Sequence, residues 1–198
     1  MKPDDLEAML AARGAIRRGH FALSSGLHSD VYVQKFRVLE QPEDARRLGA
    51  AVAGLFDSGL DVVASPAVGA LLLGFTTALA ANARFIFTER VDGLMGFRRG
   101  FRLEHHERVL VVEDVVTTGG SVAEVAALVG AAGARLVGVG ALIDRRRRPI
   151  GELGLGAPFR ALARVEADAW PPDACPRCAS GEALEDPGSN RPHGKRLG

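Results

Sequence analysis

The amino-acid sequence predicts an α/β protein, a doubly wound and mainly parallel sheet with helices on both faces. Three observations carry this. Short, unbroken apolar runs recur in DVVASP (61–66), RFIFTE (84–89), RVLVVED (108–114) and ARLVGVGALID (134–144), where a strand with one wet face would alternate. Apolar helical stretches at 67–81 and 121–133 separate them, which is the crossover pattern of parallel strands. Glycines and polar residues gather where strands run into helices, the place at which such sheets bind ligands. At 198 residues, 47% hydrophobic and 25% charged, the chain suits one domain with a sizeable core.

The elements follow in order. PDDLEAMLAAR (3–13) places Leu6, Met9 and Leu10 at helical spacing behind acidic first-turn residues, and Gly14 ends the helix. HFALSSGLHSDVYVQKFRVLE (20–40) reads as two strands about a turn at Ser24, Ser25 and Gly26. PEDARRLGAAVAGLFDSG (42–59) starts with proline and sets Leu48, Val52, Leu55 and Phe56 on one helical face. The doubly wound core occupies 61–144. Within it, ERVDGLMGFRRGFRLEHHE (89–107) has too little apolar content for another layer and is either a functional loop or a small hairpin. PFRALARVEA (158–167) is a further strand, and the polar tail from Pro187 is expected to be disordered.

Composition excludes several classes. A net charge of +1 provides no field for nucleic acid or an anionic membrane. The acidic N-terminus is no secretory signal, and the apolar run Ala67–Ala81 falls short of the roughly 20 residues a bilayer span requires. A cytoplasmic protein is expected. Cys175 and Cys178 form one CPRC motif, a redox pair, half a zinc site or neither; no second CxxC or HxxxH supplies the remaining ligands. Zinc would need distant histidines or a dimer mate, and free thiols are the favoured reading.

The most informative stretch is VLVVEDVVTTGGSV (109–122). Val109 to Val112 form a buried strand, so Glu113 and Asp114 are expected to emerge at its end. Thr117 to Ser121 then form a loop into a helix beginning near Val122. Glycines let the backbone wrap an anion, and a helix N-terminus offers unpaired N–H groups. Two carboxylates beside that cradle would repel a bare phosphate; they suit hydroxyls or a metal next to it, and a phosphorylated sugar meets both demands. GxxxxGK[ST] is missing, and VGVGA (137–141) lacks a third glycine, so neither a P-loop nor a dinucleotide fingerprint is met.

VVEDVVTTGGS resembles the phosphoribosyl-pyrophosphate (PRPP) motif of the type I phosphoribosyltransferases. The resemblance implies that family's doubly wound fold, with a small N-terminal hood. It places Glu113 and Asp114 on the ribose hydroxyls, Val115 and Val116 within the PRPP-binding stretch, and Thr117, Thr118, Gly119, Gly120 and Ser121 around the 5′-phosphate. Three more segments are similar to the orotate-specific branch: HFALSSGLHSDVYVQ (20–34) in the hood, ASPAVGA (64–70) as a pyrophosphate loop through Ala67, Val68 and Gly69, and ALIDRRRRP (141–149) after the last core strand. By this resemblance residues 1–170 are the transferase domain, 1–40 its hood, and 171–198 a CxxC segment with a tail.

Orotate is a flat pyrimidine bearing a carboxylate, which arginine can grip through two parallel hydrogen bonds. Arg145 matches the family's orotate-binding arginine and Thr117 a base-contacting threonine; Ser24, Ser25 and Gly26 offer bonds to the pyrimidine edge. Arg146, Arg147 and Arg148 are expected to be a solvated turn. The chain departs from the family where Ser24 and Gly69 stand in place of lysines. Its 89–107 segment offers Arg90 as the pyrophosphate contact, with Arg98, Arg99 and Arg102 as substitutes and no alignable lysine or histidine. His105 and His106 are expected in a solvated linker.

The implied reaction joins orotate to the ribose 5-phosphate of PRPP, giving orotidine 5′-monophosphate and pyrophosphate for UMP synthesis. Asp114, Glu113 and Arg90 are the catalytic candidates, with Mg²⁺ carried by PRPP and not by a protein cage. The resemblance also implies a homodimer. Two alternatives stay open: a transferase of this fold for a purine or uracil, in which Arg145 has no carboxylate to read, and a non-catalytic PRPP-sensing regulator.

Overall fold

The computed structural model describes residues 3–23, 26–146 and 155–187. Ser24, Ser25, Arg147, Arg148 and the tail beyond Pro187 lie outside the described residues.

Helix α1 (Pro3–Ala12) buries Leu6, Met9 and Leu10 and stops at Gly14, whose φ of 60° glycine adopts without a Cβ clash. Strands β1 (Ile16–Ala22) and β2 (His28–Val33) form an antiparallel hairpin, and Phe36–Leu39 is a short helix, α2. The expected pair of strands therefore starts earlier, and its last residues turn helical because Val38 and Leu39 are needed in the core. Helix α3 (Pro42–Ala53) has proline in its first turn and buries Leu48 and Val52; Leu55 and Phe56 fall in the turn beyond its end.

The alternation then runs β3 (Val62–Pro66), α4 (Leu71–Ala81), β4 (Arg84–Val91), β5 (Leu94–Phe97), β6 (Arg108–Val116), α5 (Gly120–Ala131), β7 (Arg135–Asp144) and β8 (Phe159–Arg164). The sheet order is β5-β4-β3-β6-β7-β8; β4, β3, β6, β7 and β8 are parallel and β5 is antiparallel. Successive strand residues serve opposite layers. Val63, Leu110 and Val112 pack with α1, α3 and α4, while Val62, Ala64, Val109 and Val111 pack with Val122, Val125 and Val129 of α5. Helices α3 and α4 cross at Gly49, where a Cβ would collide with the Thr76 backbone.

One segment takes one of its two expected forms, and two boundaries differ from expectation. The 89–107 segment forms the β4/β5 hairpin, pairing Thr88 with Phe97 and Val91 with Leu94, before an irregular return to β6. Strand β6 runs on to Val116, so Glu113 and Asp114 lie within it and not beyond its end. Parallel pairing with β7 as far as Val116↔Asp144 holds them there. Helix α5 starts at Gly120, two residues before the expected Val122.

Beyond β8 the chain turns back across the hood. Strand β9 (Ala169–Trp170) adds to the β2 edge, making a second sheet ordered β1-β2-β9. A short 3-10 turn (Pro172–Ala174) and α6 (Pro176–Ala179) lead to Glu185, which exchanges backbone hydrogen bonds with β1: Ala22 N–H to Glu185 O at 2.8 Å and Glu185 N–H to His20 O at 2.8 Å.

Candidate active site

Strands β3 and β6 are parallel neighbours at the sheet centre, but the chain leaves β3 towards β4 and β6 towards β7. Their following loops diverge and open a crevice at the carboxyl ends, the switch point of a doubly wound sheet. The loop after β3 carries Ala67, Val68 and Gly69, with a cis Ala67–Val68 peptide. The loop after β6 carries exposed Thr117 and Thr118 and passes through Gly119 at φ 84° into α5. No side chain caps α5; Gly120 N–H reaches Thr118 Oγ1 at 3.4 Å, so its first turn keeps N–H groups for an anion.

Asp114 lies beneath these loops, 3% exposed. Its Oδ1 accepts a 2.6 Å hydrogen bond from Val115 N–H, and its Oδ2 is ion-paired with Lys35 Nζ. Gly69 closes over that pair: a Cβ there would meet both the carboxylate and the ammonium. Glu113 Oε1 accepts the Asp114 N–H at 3.0 Å. Burial, then the neighbouring Asp114 charge, pushes the Glu113 carboxyl up to about 8, so near neutrality it holds a proton.

Arg145 follows β7 and joins core to hood. Its Nη2 donates to Ser29 Oγ and to Val31 O, each at 3.3 Å, while Nε is buried with no hydrogen-bond partner among the described residues. Burial lowers its pKa, opposed by the charge of Asp30. A buried guanidinium N–H without an acceptor is costly unless a ligand supplies one. The hood also holds the Phe21 and Tyr32 rings, 5.7 Å apart, and Gly26 at φ 81° in the turn between β1 and β2.

The comparisons match this architecture. The phosphoribosyl transferase domain family matches residues 84–152. The orotate phosphoribosyltransferase of Caldicellulosiruptor saccharolyticus is 43% identical over 178 residues, 89% of this chain and 92% of the relative. The chain belongs to the orotate phosphoribosyltransferase family. The enzyme of that name from Acidithiobacillus ferrooxidans is 45% identical over 193 residues, covering 96% of this chain and 98% of its own. Among solved structures, orotate phosphoribosyltransferase from Aeropyrum pernix superposes with a TM-score of 0.67 at 28% identity, covering 81% of this chain and 93% of that one. Adenine phosphoribosyltransferase from Rhodothermus marinus, at 21% identity and a TM-score of 0.66, shares the fold.

For an orotate phosphoribosyltransferase, the structure brings together Glu113, Asp114, Gly69, Thr117 to Ser121 and, from the hood side, Arg145. Arg90 stands apart at the β4/β5 tip, its guanidinium donating to Gly93 O at 2.6 Å and Glu124 Oε1 at 2.5 Å. Arg99 is paired with half-buried Glu89 and exposed Arg102 with exposed Glu104. His105 and His106 precede β6, at the end of the sheet away from the crevice.

Two residues depart from the sequence reading. Arg146 is not solvated: it makes three hydrogen bonds of 2.9–3.1 Å to buried Asp144, and its guanidinium lies 4.1 Å from the Phe159 ring centroid. Burial acts to raise the Asp144 pKa, but these hydrogen bonds outweigh it and leave it lowered. Lys35 was not among the expected site residues. The chain has lysines only at 2, 35 and 195, so any lysine working beside the acidic pair among the described residues is Lys35. That scarcity was the available signal.

Proposed function

We propose that this chain joins orotate to PRPP through the crevice between β3 and β6, orotate N1 bonding to the anomeric carbon as the C–O bond to pyrophosphate breaks. The observation that carries the reading is the buried, unpartnered Nε of Arg145, a donor shaped for a carboxylate such as orotate's. Arg145 and Thr117 orient the base, with Gly26 of the hood turn along its edge. Asp114 and Glu113 hold the ribose, and Thr117 to Ser121 the 5′-phosphate. Ala67, Val68 and Gly69 line the pyrophosphate, with Arg90 reaching it from the β4/β5 tip once its contact with Glu124 opens.

The transition state gathers positive charge on the ribose and negative charge on the leaving group, so fixed charges do most of the work. Asp114 is already held by Lys35 and Glu113 carries a proton, a donor set that suits sugar hydroxyls better than a resident cation. Mg²⁺ would thus arrive on the PRPP oxygens and neutralise the departing pyrophosphate.

We further propose a homodimer. Leu72, Phe75 and Leu79 form an exposed apolar stripe at helical spacing along α4, continuous with exposed Val68 of the pyrophosphate loop. A second copy of the chain is the occupant that fits, since the stripe borders the crevice and buries best against its own twofold mate. No described helix is long and apolar enough to cross a membrane. Cys175 and Cys178 are not joined in a disulfide, which fits a reducing, cytoplasmic setting.

Mixing protein, Mg²⁺, PRPP and orotate should deplete orotate absorbance and release pyrophosphate. Turnover with adenine or uracil but none with orotate would overturn the reading.

A further inference from the structure

We propose that His20, His28, Cys175 and Cys178 form a structural zinc site that pins the C-terminal segment to the hood hairpin.

The four ligand atoms come from three separate parts of the chain and lie within 4.8 Å of one another. His20 Nε2 is 3.1 Å from His28 Nδ1, 3.4 Å from Cys175 Sγ and 3.7 Å from Cys178 Sγ, and Cys178 Sγ is 3.2 Å from His28 Nδ1. A tetrahedron built with ordinary Zn–N and Zn–S bonds has edges of about 3.3 Å for N–N and about 3.6 Å for N–S. The spacings fall around those edges.

Hydrogen bonding alone does not account for the cluster. His20 Nδ1 lies 2.9 Å from the Glu182 carbonyl, which only accepts, so Nδ1 carries the proton and a neutral ring leaves Nε2 with a single lone pair. One lone pair faces three groups at once, which a central cation satisfies and pairwise bonds do not. A carbonyl fixing the far nitrogen is also the outer-shell partner that a metal-bound histidine uses.

Local structure builds the site. The β1/β2 register slips between Arg18 and Phe21, so the bulge at Gly19 and His20 re-aims the His20 side chain. His28 opposes Ala22 on β2, and the same strand carries β9 on its other edge, with His28 paired to Trp170. From β9 the chain needs only a few residues to bring the CPRC turn over the hairpin and return to Glu185 beside β1. His20, His28 and Cys175 are buried, and Cys178 is exposed.

Binding would release the two thiol protons and leave Zn²⁺ with two thiolates and two neutral imidazoles, a net charge of zero that tolerates burial. With four protein ligands and no open position, the ion would be structural. The distant histidines that the CPRC motif lacked in sequence are supplied by the hood.

The test uses the full chain purified without chelator. About one equivalent of zinc per chain is expected. Reduced, metal-free protein should take up Co²⁺ and develop the intense visible bands of a tetrahedral site together with thiolate charge transfer. Cys178→Ser, at the exposed ligand and so least disturbing to folding, should weaken zinc retention by about 10² or more, and His28→Ala should do the same. Neither metal content nor cobalt colour depends on turnover with orotate, so this proposal and the enzymatic one fail separately. Failure of the reduced protein to bind zinc or cobalt, or unchanged zinc content in Cys178→Ser, would overturn it.

Discussion

Lys35, just beyond β2, is ion-paired with Asp114 of β6, tying the hood to the centre of the core sheet. The lysine side chain is 25% exposed and the aspartate 4%, so removing one partner strands a buried charge. Lys35→Ala should lower stability by about 2 kcal/mol, discounted from the fully buried case for the solvent reaching the ammonium. Adding Asp114→Asn should restore much of that stability while turnover stays down by about 10² or more, the scale of losing a charged transition-state contact. Urea titration of the two variants and their steady-state rates check this. Recovery of activity in the double variant would remove the pair from the mechanism.

Gly69→Ala places a methyl group against the Lys35–Asp114 pair. Both partners meet it with side-chain ends, so the fold should lose no more than about 1–2 kcal/mol. The PRPP KM should rise about tenfold, because the pair beneath the pyrophosphate loop is displaced. An unchanged PRPP KM would place this loop outside the site.

Arg145→Ala removes the guanidinium whose Nε lacks a partner. The orotate KM should rise about 10² with PRPP binding retained, the loss of a charged bidentate contact being worth a few kcal/mol. Isothermal titration with PRPP separates the two substrates. Loss of PRPP binding with an unchanged orotate KM would contradict the assignment.

Glu113 has its folded-state pKa raised from 4.5 to about 8, first by burial and then by Asp114. Between those values the folded protein holds a proton that the unfolded chain has released, so this group's contribution to stability is full at acidic pH and is lost as pH rises through about 8. Glu113→Gln cannot ionise. Its stability relative to the parent should improve by on the order of 1 kcal/mol or more from pH 5 to pH 9, followed by thermal unfolding without substrates. A difference that does not vary with pH would show that Glu113 ionises freely.

Phe75 and Leu79 are 55% and 64% exposed on α4. Phe75→Glu should convert the proposed dimer to monomer in analytical ultracentrifugation without unfolding it, since the side chain is not part of the described core. A parent chain that sediments as a monomer would remove the stripe as an interface.

Much of the fold was legible because it rests on periodicity. Unbroken apolar strands, helices between them and glycine at the turns are local signals, and they located β3, β6, β7 and both flanking helices within a few residues. The loop after β6 was equally readable, since Thr117 to Ser121 lie in one contiguous stretch where the strand runs into α5. The extent of β6 was not, because Glu113 and Asp114 look like loop residues until pairing with β7 holds them in the strand.

Sequence alone thus determined the sheet and the glycine-rich loop between β6 and α5. Only the tertiary structure decided which distant side chains meet. Lys35 reaches Asp114 across 79 positions, Arg146 leaves water for Asp144 and Phe159, and Cys175 and Cys178 gain His20 and His28. These pairings depend on how the hood and the returning C-terminal segment fold over the core, and local propensity carries no information about contacts made through space.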